Sequence, residues 1–334
     1  MGLLGVTISA MTSKMLWGRA AARCSICRIQ LVLDETETDN PALVGEMAHM
    51  IAESDDGPRG KSPMARQERD CYDNLLLLCR NHHGEIDRQP ETWPVEHLKQ
   101  IKSAHETWVS GSLTEFDKEK ESDDETYAGY IDEWSKRCRL ERWTEWSSSL
   151  LSFGQPNLDC EIYKDLTDLP SWIMKRAWPA RYRELEVAMY NFARVLNDLN
   201  LVFNRHAKKR HDDDDELWTE KFYKINEWNP ERYHNLSRQY DYHVDLVQDL
   251  VLELTRAGNL ICDKFRANIL PSYRLSEGRL SVRSGPDEHL RWKEIVVEYD
   301  KDERIAEFPY PGLEVFLTDR ESRDMFFGKG LAPS

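Results

Sequence analysis

The chain has 334 residues, room for two domains of ordinary size, and 40% of them are hydrophobic, enough to build cores. Its 45 Lys+Arg face 60 Asp+Glu, and the net charge of −15 excludes a protein that coats nucleic acid by charge alone. No run of eighteen apolar residues is present, which excludes a transmembrane helix, and the 31% charged residues predict a soluble, cytoplasmic protein.

The opening stretch MGLLGVTISA is mildly apolar, has no basic start and is followed by the interruption Trp17-Gly18-Arg19. It reads as a short extension ahead of Met11 and not as a signal peptide. A helix is predicted around residues 12–22, leading into Cys24-Ser25-Ile26-Cys27. Residues 28–33 alternate polar and apolar side chains, as a short strand does, and 34–41 form an acidic turn region. A second strand is expected over 43–51, carrying His49 near its end, followed by a Gly/Pro/Arg-rich loop over 53–70. Leu75-Leu76-Leu77-Leu78 is short enough for a buried strand. From Thr92 a helix follows, with Pro94 in its first turn and apolar positions at 95, 98, 101, 105, 108 and 109.

These elements predict an α+β domain over 12–112. The acidic, apolar-poor segment 113–127 is expected to be a linker. A mainly α-helical domain with a few short C-terminal strands is predicted over 128–334. Helical apolar stripes run through 179–208 and 231–267, with 217–230 partly helical and HDDDDE (211–216) as a solvated interhelical loop. SVRSG, KEIVVEY and GLEVFL read as strands. Most of the eleven tryptophans are assigned to cores, others to a ligand pocket or assembly surface.

Seven cysteines, an odd number, fit a reducing compartment better than a disulfide framework. Cys71, Cys138, Cys160 and Cys262 are scattered and read as packing residues. Cys24-x2-Cys27 and Cys79-x2-His82 are two pairs that flank a β-rich segment, the spacing with which two chain segments close a tetrahedral metal site. Structural zinc is expected there, holding together a domain too small to be comfortable alone.

His49, Asn74 and His83 stand beside these ligands, in the order His, Asn, His. With Trp17-Gly18-Arg19, the Gly-Pro-Arg-Gly loop, the string Asn74-Leu75-Leu76-Leu77-Leu78-Cys79-Arg80-Asn81-His82-His83 and Ile86-Asp87, the first third of the chain resembles the HNH endonucleases of the treble-clef, ββα-metal type. The resemblance covers about residues 14–110. It implies that His49 is the general base, that Asn74 holds the loop so that His49 points correctly, and that His83 binds a catalytic Mg²⁺ or Mn²⁺. Many members carry an acidic residue directly before the first histidine as second metal ligand, and here that position is Ala48. Glu46, Asp70, Asp73 and Asp87 are the substitutes; Glu46 is expected to project away from His49 on a strand, and Asp87 lies one helical turn from His83.

Arg59, Lys61, Arg66, Arg69, Arg80 and Arg88 are the expected phosphate contacts. His105 falls on an apolar stripe and His97 on the surface. The resemblance implies a DNA substrate and a role as a regulated effector in bacterial anti-phage defence, with a homo-oligomer or partner protein that activates or targets it. A sequence-specific restriction endonuclease, a non-catalytic zinc-binding adaptor and an RNA substrate are the other readings.

Overall fold

A computed structural model describes residues 8–34, 40–112, 115–151, 154–285, 289 and 291–328. Most of the expected 34–41 turn lies outside them. The described residues form ten α-helices and four small antiparallel sheets, and the chain divides into two compact units, 1–132 and 133–334.

Unit one opens with α1 (Ala10–Arg19). The Ser9 hydroxyl accepts the Thr12 amide, and the Asp132 carboxylate accepts the Ala10 and Met11 amides at 2.9 and 2.7 Å, so the orphan donors of the first turn are satisfied. Strands β1 (Val32–Leu33) and β2 (Ala42–Leu43) pair in a minimal ladder. Strands β3 (Gly45–His49) and β4 (Leu75–Cys79) form the central hairpin, with Gly45 opposite Cys79 and His49 opposite Leu75. Helix α2 (Arg80–Arg88) begins directly after Cys79, and α3 is Val95–Ser112.

The core gathers Leu16 and Ala20 of α1, Cys24, Leu31, Ala48, Met50, all four leucines of β4, Ile86 and Leu98. A strand buried on both faces needs the continuous apolar run that 75–78 supplies. Gly45 must be small: a Cβ there would stand 2.9 Å from Leu31 and from the Trp17 ring.

The segment expected as a linker is helical instead. Helix α4 (Glu115–Arg137) buries Tyr127, Ala128 and Ile131, and its acids meet α1: Lys14 lies 3.1 Å from Asp124 and 3.5 Å from Glu121, and Arg19 lies 3.3 Å from Glu125. The division between units falls inside this helix, at Asp132/Glu133.

Unit two contains α5 (Trp143–Leu151), β5 (Asn157–Asp159), α6 (Cys160–Met174), α7 (Arg183–Asn204), β6 (Ala207–Lys208), β7 (Glu216–Thr219) and α8 (Pro230–Asn268). There follow β8 (Ser281–Ser284), β9 (Lys293–Val296), α9 (Lys301–Ile305) and α10 (Leu313–Asp319). Every residue of α8 from 246 to 262 is buried, and α7 packs along it. Strands β5, β7 and β6 form one sheet, so the acidic run 211–215 links β6 to β7, where Asp214 accepts the Arg210 and His211 amides. Residues 217–229, part of a segment expected to be partly helical, are strand, turns and irregular chain, and the helix begins only at Pro230. GLEVFL, expected as a strand, is helix α10: Gly312 at φ +101 redirects the chain and Phe316 alone is fully covered, a helical and not an alternating pattern.

The C-terminal segment is tied to α8 by ion pairs: Arg320 to Asp249 at 3.1 Å, Arg323 to Glu253 at 2.8 Å and Arg256 to Asp324 at 2.5 Å. No helix among the described residues is long and apolar enough to cross a membrane.

Candidate metal centre and hydrolytic site

The chain between α1 and β1 makes a tight knuckle. The Arg28 amide donates to the Cys24 carbonyl at 2.8 Å, with Arg28 in the left-handed region, and the Ser25 amide donates to Leu77 of β4 at 2.9 Å. The second bond carries Cys24 and Cys27 to the β4–α2 junction, where Cys79 ends the strand and His82 sits in the first turn of the helix. The three thiols and the His82 ring offer ligand atoms that all lie within 4.8 Å of one another. The His82 Nδ1 is 3.6 Å from Cys24 Sγ and 3.2 Å from Cys79 Sγ. Zinc bonds of about 2.3 Å to sulfur and about 2.0 Å to nitrogen, at a tetrahedral angle, would set such atoms about 3.6 Å apart. Donor type, number and spacing therefore fit a structural metal such as zinc.

The same junction fixes His83. Its ring lies between two carboxylates: Nδ1 is 2.6 Å from Glu46 Oε2 of β3, and Nε2 is 3.4 Å from Asp87 Oδ2, one turn along α2. His83 holds Glu46 below the usual carboxylate range, with Arg80 adding to the effect. Glu46, His83, Asp87, Asn81, Arg80 and Arg88 line an open cleft of about 550 Å³. The two carboxylates meet opposite nitrogens of the ring, so the three groups do not converge on one point as the thiols do.

His49 occupies the other end of β3, and its side chain is not among those lining that cleft. Its Nε2 lies 2.8 Å from Asp70 Oδ1, with the Asp70 side chain 11% exposed. Asp70, considered above only as a metal ligand, thus contacts His49; a loop residue twenty-one positions away gives no spacing signal for such a pair.

Asn74 closes this end of the hairpin. Its Oδ1 accepts the Ile51 amide at 3.0 Å, and its Nδ2 donates to the carbonyls of Ile51 and Arg69 at 2.9 and 2.8 Å. The buried amide therefore ties the chain just after His49 to the chain just before Asp70, using both its acceptor oxygen and its two N–H donors.

The expected phosphate contacts divide. Arg59 donates to the carbonyls of Met50 and Ile86, both at 2.6 Å, and to Asp87 at 3.3 Å. Arg69, with 2% of its side chain exposed, donates to the carbonyls of Ala52, Glu53 and Gly60 and to Asp55. Arg69 pairs carbonyls in and beside the irregular 53–70 loop and Arg59 ties that loop to the end of β3 and to α2, so neither is available to a phosphate. Gly60 belongs to the same packing, since a Cβ there would stand 2.2 Å from the Ser54 carbonyl. Lys61, Arg66, Arg80 and Arg88 are exposed; Arg66 pairs with Asp55 at 2.8 Å, and Arg80, 89% exposed, reaches Glu46 at 3.4 Å. His105 packs as expected, its Nε2 3.0 Å from the Ala20 carbonyl, and burial pushes its pKa down. His97 is exposed and stacks on Trp93.

No family model matches the chain, and no curated protein is similar enough to be aligned with it.

Proposed function

We propose that unit one is a metal-dependent HNH-type endonuclease that hydrolyses phosphodiester bonds of DNA, braced by structural zinc on Cys24, Cys27, Cys79 and His82. The observation that carries the reading is the set Glu46, His83 and Asp87 on the hairpin–helix junction that the Cys3His cluster fixes, with His49 and Asp70 at the far end of the same strand. His83 with one of its two carboxylate neighbours, Asp87 or Glu46, would hold a catalytic Mg²⁺ or Mn²⁺ once the ring nitrogen facing that carboxylate is released from it. When bound, such an ion offsets charge on the scissile phosphate and assists the leaving oxygen.

The protein's own groups account for the rest. His49, with Nε2 against the Asp70 carboxylate, has Nδ1 left to take a proton from the attacking water. Asp70 fixes the tautomer and supports the charged ring, as a carboxylate beside a catalytic imidazole does in hydrolases. Asn74 holds both partners in register. Arg80, Arg88, Lys61 and Arg66 supply exposed cations for backbone phosphates. With a net charge of −15, unaided affinity for DNA is low, which favours an effector that is recruited or switched on. A homo-oligomer or a partner protein would serve, with unit two as the regulatory, targeting or oligomerising module, in the anti-phage setting of similar HNH domains.

Supercoiled plasmid with Mg²⁺ or Mn²⁺ tests this directly. The expected result is cleavage by the wild type and a loss of about a hundredfold or more in His49→Ala and His83→Ala. Asp70→Asn should lower kcat about tenfold while leaving KM little changed, with Asp70→Glu partly restoring it. Identical behaviour of wild type, His49→Ala and His83→Ala would overturn the reading. It would favour a non-catalytic zinc module, for which the ready pairing of both His83 nitrogens with carboxylates is the supporting observation.

A further inference from the structure

Helix α2 carries a glycine, Gly84, at its centre. Glycine weakens a helix interior, because it gives up the most backbone freedom on folding and covers nothing. Packing explains such a residue where a side chain has no room, as at Gly45 and Gly60. At Gly84 it does not. The backbone there is ordinary helix, and beyond that backbone and the adjoining residues a Cβ would meet only the far end of Arg88, at 3.7 Å. The fold leaves space for a side chain that the sequence does not supply.

The position of this gap is specific. Arg80, Gly84 and Arg88 stand four residues apart, on one ridge of the helix. Eight residues rise about 12 Å, so two exposed arginines bracket a bare stretch of helix surface. His83 and Asp87 form the neighbouring ridge, and all five residues line the same open cleft. A nucleic-acid strand carries a charge about every 3.4 Å of its path, so it is held by cations set along that path. Hydrolysis also needs one phosphate brought close to the group that acts on it. A side chain at position 84 would stand between such a strand and the helix, beside His83.

We propose that Gly84 is the notch at which one DNA strand crosses α2, its backbone lying against the helix between Arg80 and Arg88 with the scissile phosphate beside His83. This rests on the nuclease reading and deepens it: missing volume, as well as charge, sets where the strand lies.

The test uses the full chain. Gly84→Ala adds a side chain that the helix accepts, so its urea midpoint should rise above that of the wild type. Gly84→Leu keeps a good helix former and fills the notch. On plasmid with Mg²⁺, kcat should stay within about threefold in both, while KM rises a few-fold in Gly84→Ala and about tenfold or more in Gly84→Leu. In a His49→Ala background, where the substrate is not consumed, anisotropy of a fluorescein-labelled duplex should give the same order of affinities. The loss in Gly84→Leu is steric, so it should be alike at about 50 mM and about 200 mM salt, whereas the loss in Arg88→Ala should shrink as salt rises. If the wild type binds and cuts and Gly84→Leu matches it in KM and affinity, the notch is refuted and the nuclease reading stands. A lower midpoint in Gly84→Ala also refutes the notch, since the fold would then require the glycine. A wild type that neither binds nor cuts overturns the nuclease reading itself, and the notch with it.

Discussion

Arg69 and Arg66 show how one side-chain type serves two unrelated ends in a single loop. A Gly/Pro/Arg-rich stretch on paper looks like a phosphate-binding loop, because arginine in an irregular segment is usually solvated. Loops without a ladder, however, leave carbonyls unpaired, and a buried guanidinium carries five donors in one plane. Arg69 spends them on the carbonyls of Ala52, Glu53, Gly60 and Met64 and on Asp55, whereas Arg66, three residues earlier, stays exposed with the same aspartate. Arg69→Ala should therefore destabilise unit one by about 3 kcal/mol, the order expected when buried acceptors are stranded. Arg66→Ala should leave the unfolding midpoint essentially unchanged, since its pair with Asp55 is solvent-exposed. Urea unfolding followed by circular dichroism compares the two, and equal midpoints would refute the assignment. The sequence could not separate these arginines, since burial of a loop side chain depends on where the loop folds. Asn74 was legible because its neighbours Leu75–Cys79 fix it at a strand start; Asp70 was not, because its partner lies across that same loop.

At the scale of elements, spacing that repeats with the secondary structure was readable and spacing that does not was lost. The paired Cys-x2-Cys and Cys-x2-His motifs announced the metal cluster, and four successive leucines announced β4. Helix α4 was misread because its acids, which meet Lys14 and Arg19, resemble the charges of a linker; the clue was the trio Tyr127, Ala128 and Ile131 on one face. Helix α8 holds the opposite surprise, acids inside an apolar run. Burial pushes the Asp249 carboxyl up to about 7, against the pull of the Phe327 amide, Arg320 and Arg256 and with a further push from Asp245. A carboxyl raised in the folded state prefers its proton there. Its contribution to stability is complete below the unfolded value of about 3.9 and is lost as pH rises toward 7. Asp249→Asn keeps a neutral side chain of the same shape at every pH. Between pH 5 and pH 8 the wild type should lose stability relative to this variant, by at most about 1.4 kcal/mol per pH unit up to pH 7. Urea midpoints at the two pH values measure it, and parallel curves would disprove the assignment.

For the whole molecule, the two units rest on different supports. Unit two has a long buried helix with others packed along it, a core that grows with size. Unit one has one hairpin and short helices, and its Cys3His cluster joins the knuckle, β4 and α2 at one point. Zinc analysis should find one ion per chain, and Cys24→Ser or a strong chelator should remove it. Limited proteolysis should then cut within residues 10–112 while a fragment of unit two persists. Retention of unit one with no metal bound would contradict this. Composition made a net charge of −15 legible from the start. It left the role of the second unit unread, because its helices share no motif with chemistry.

The uninterrupted burial of α8 has a consequence for how this chain can change over time. An ordinary surface helix accepts substitutions along its solvated stripe, because one face is free to vary. Along 246–262 no face is free, and an added residue would turn everything beyond it by about 100°. If it fell between them, Asp249 would still face Arg320 while Glu253 swung away from Arg323 and Tyr299. The helix can drift by substitution, one matched pair at a time, but its length is locked.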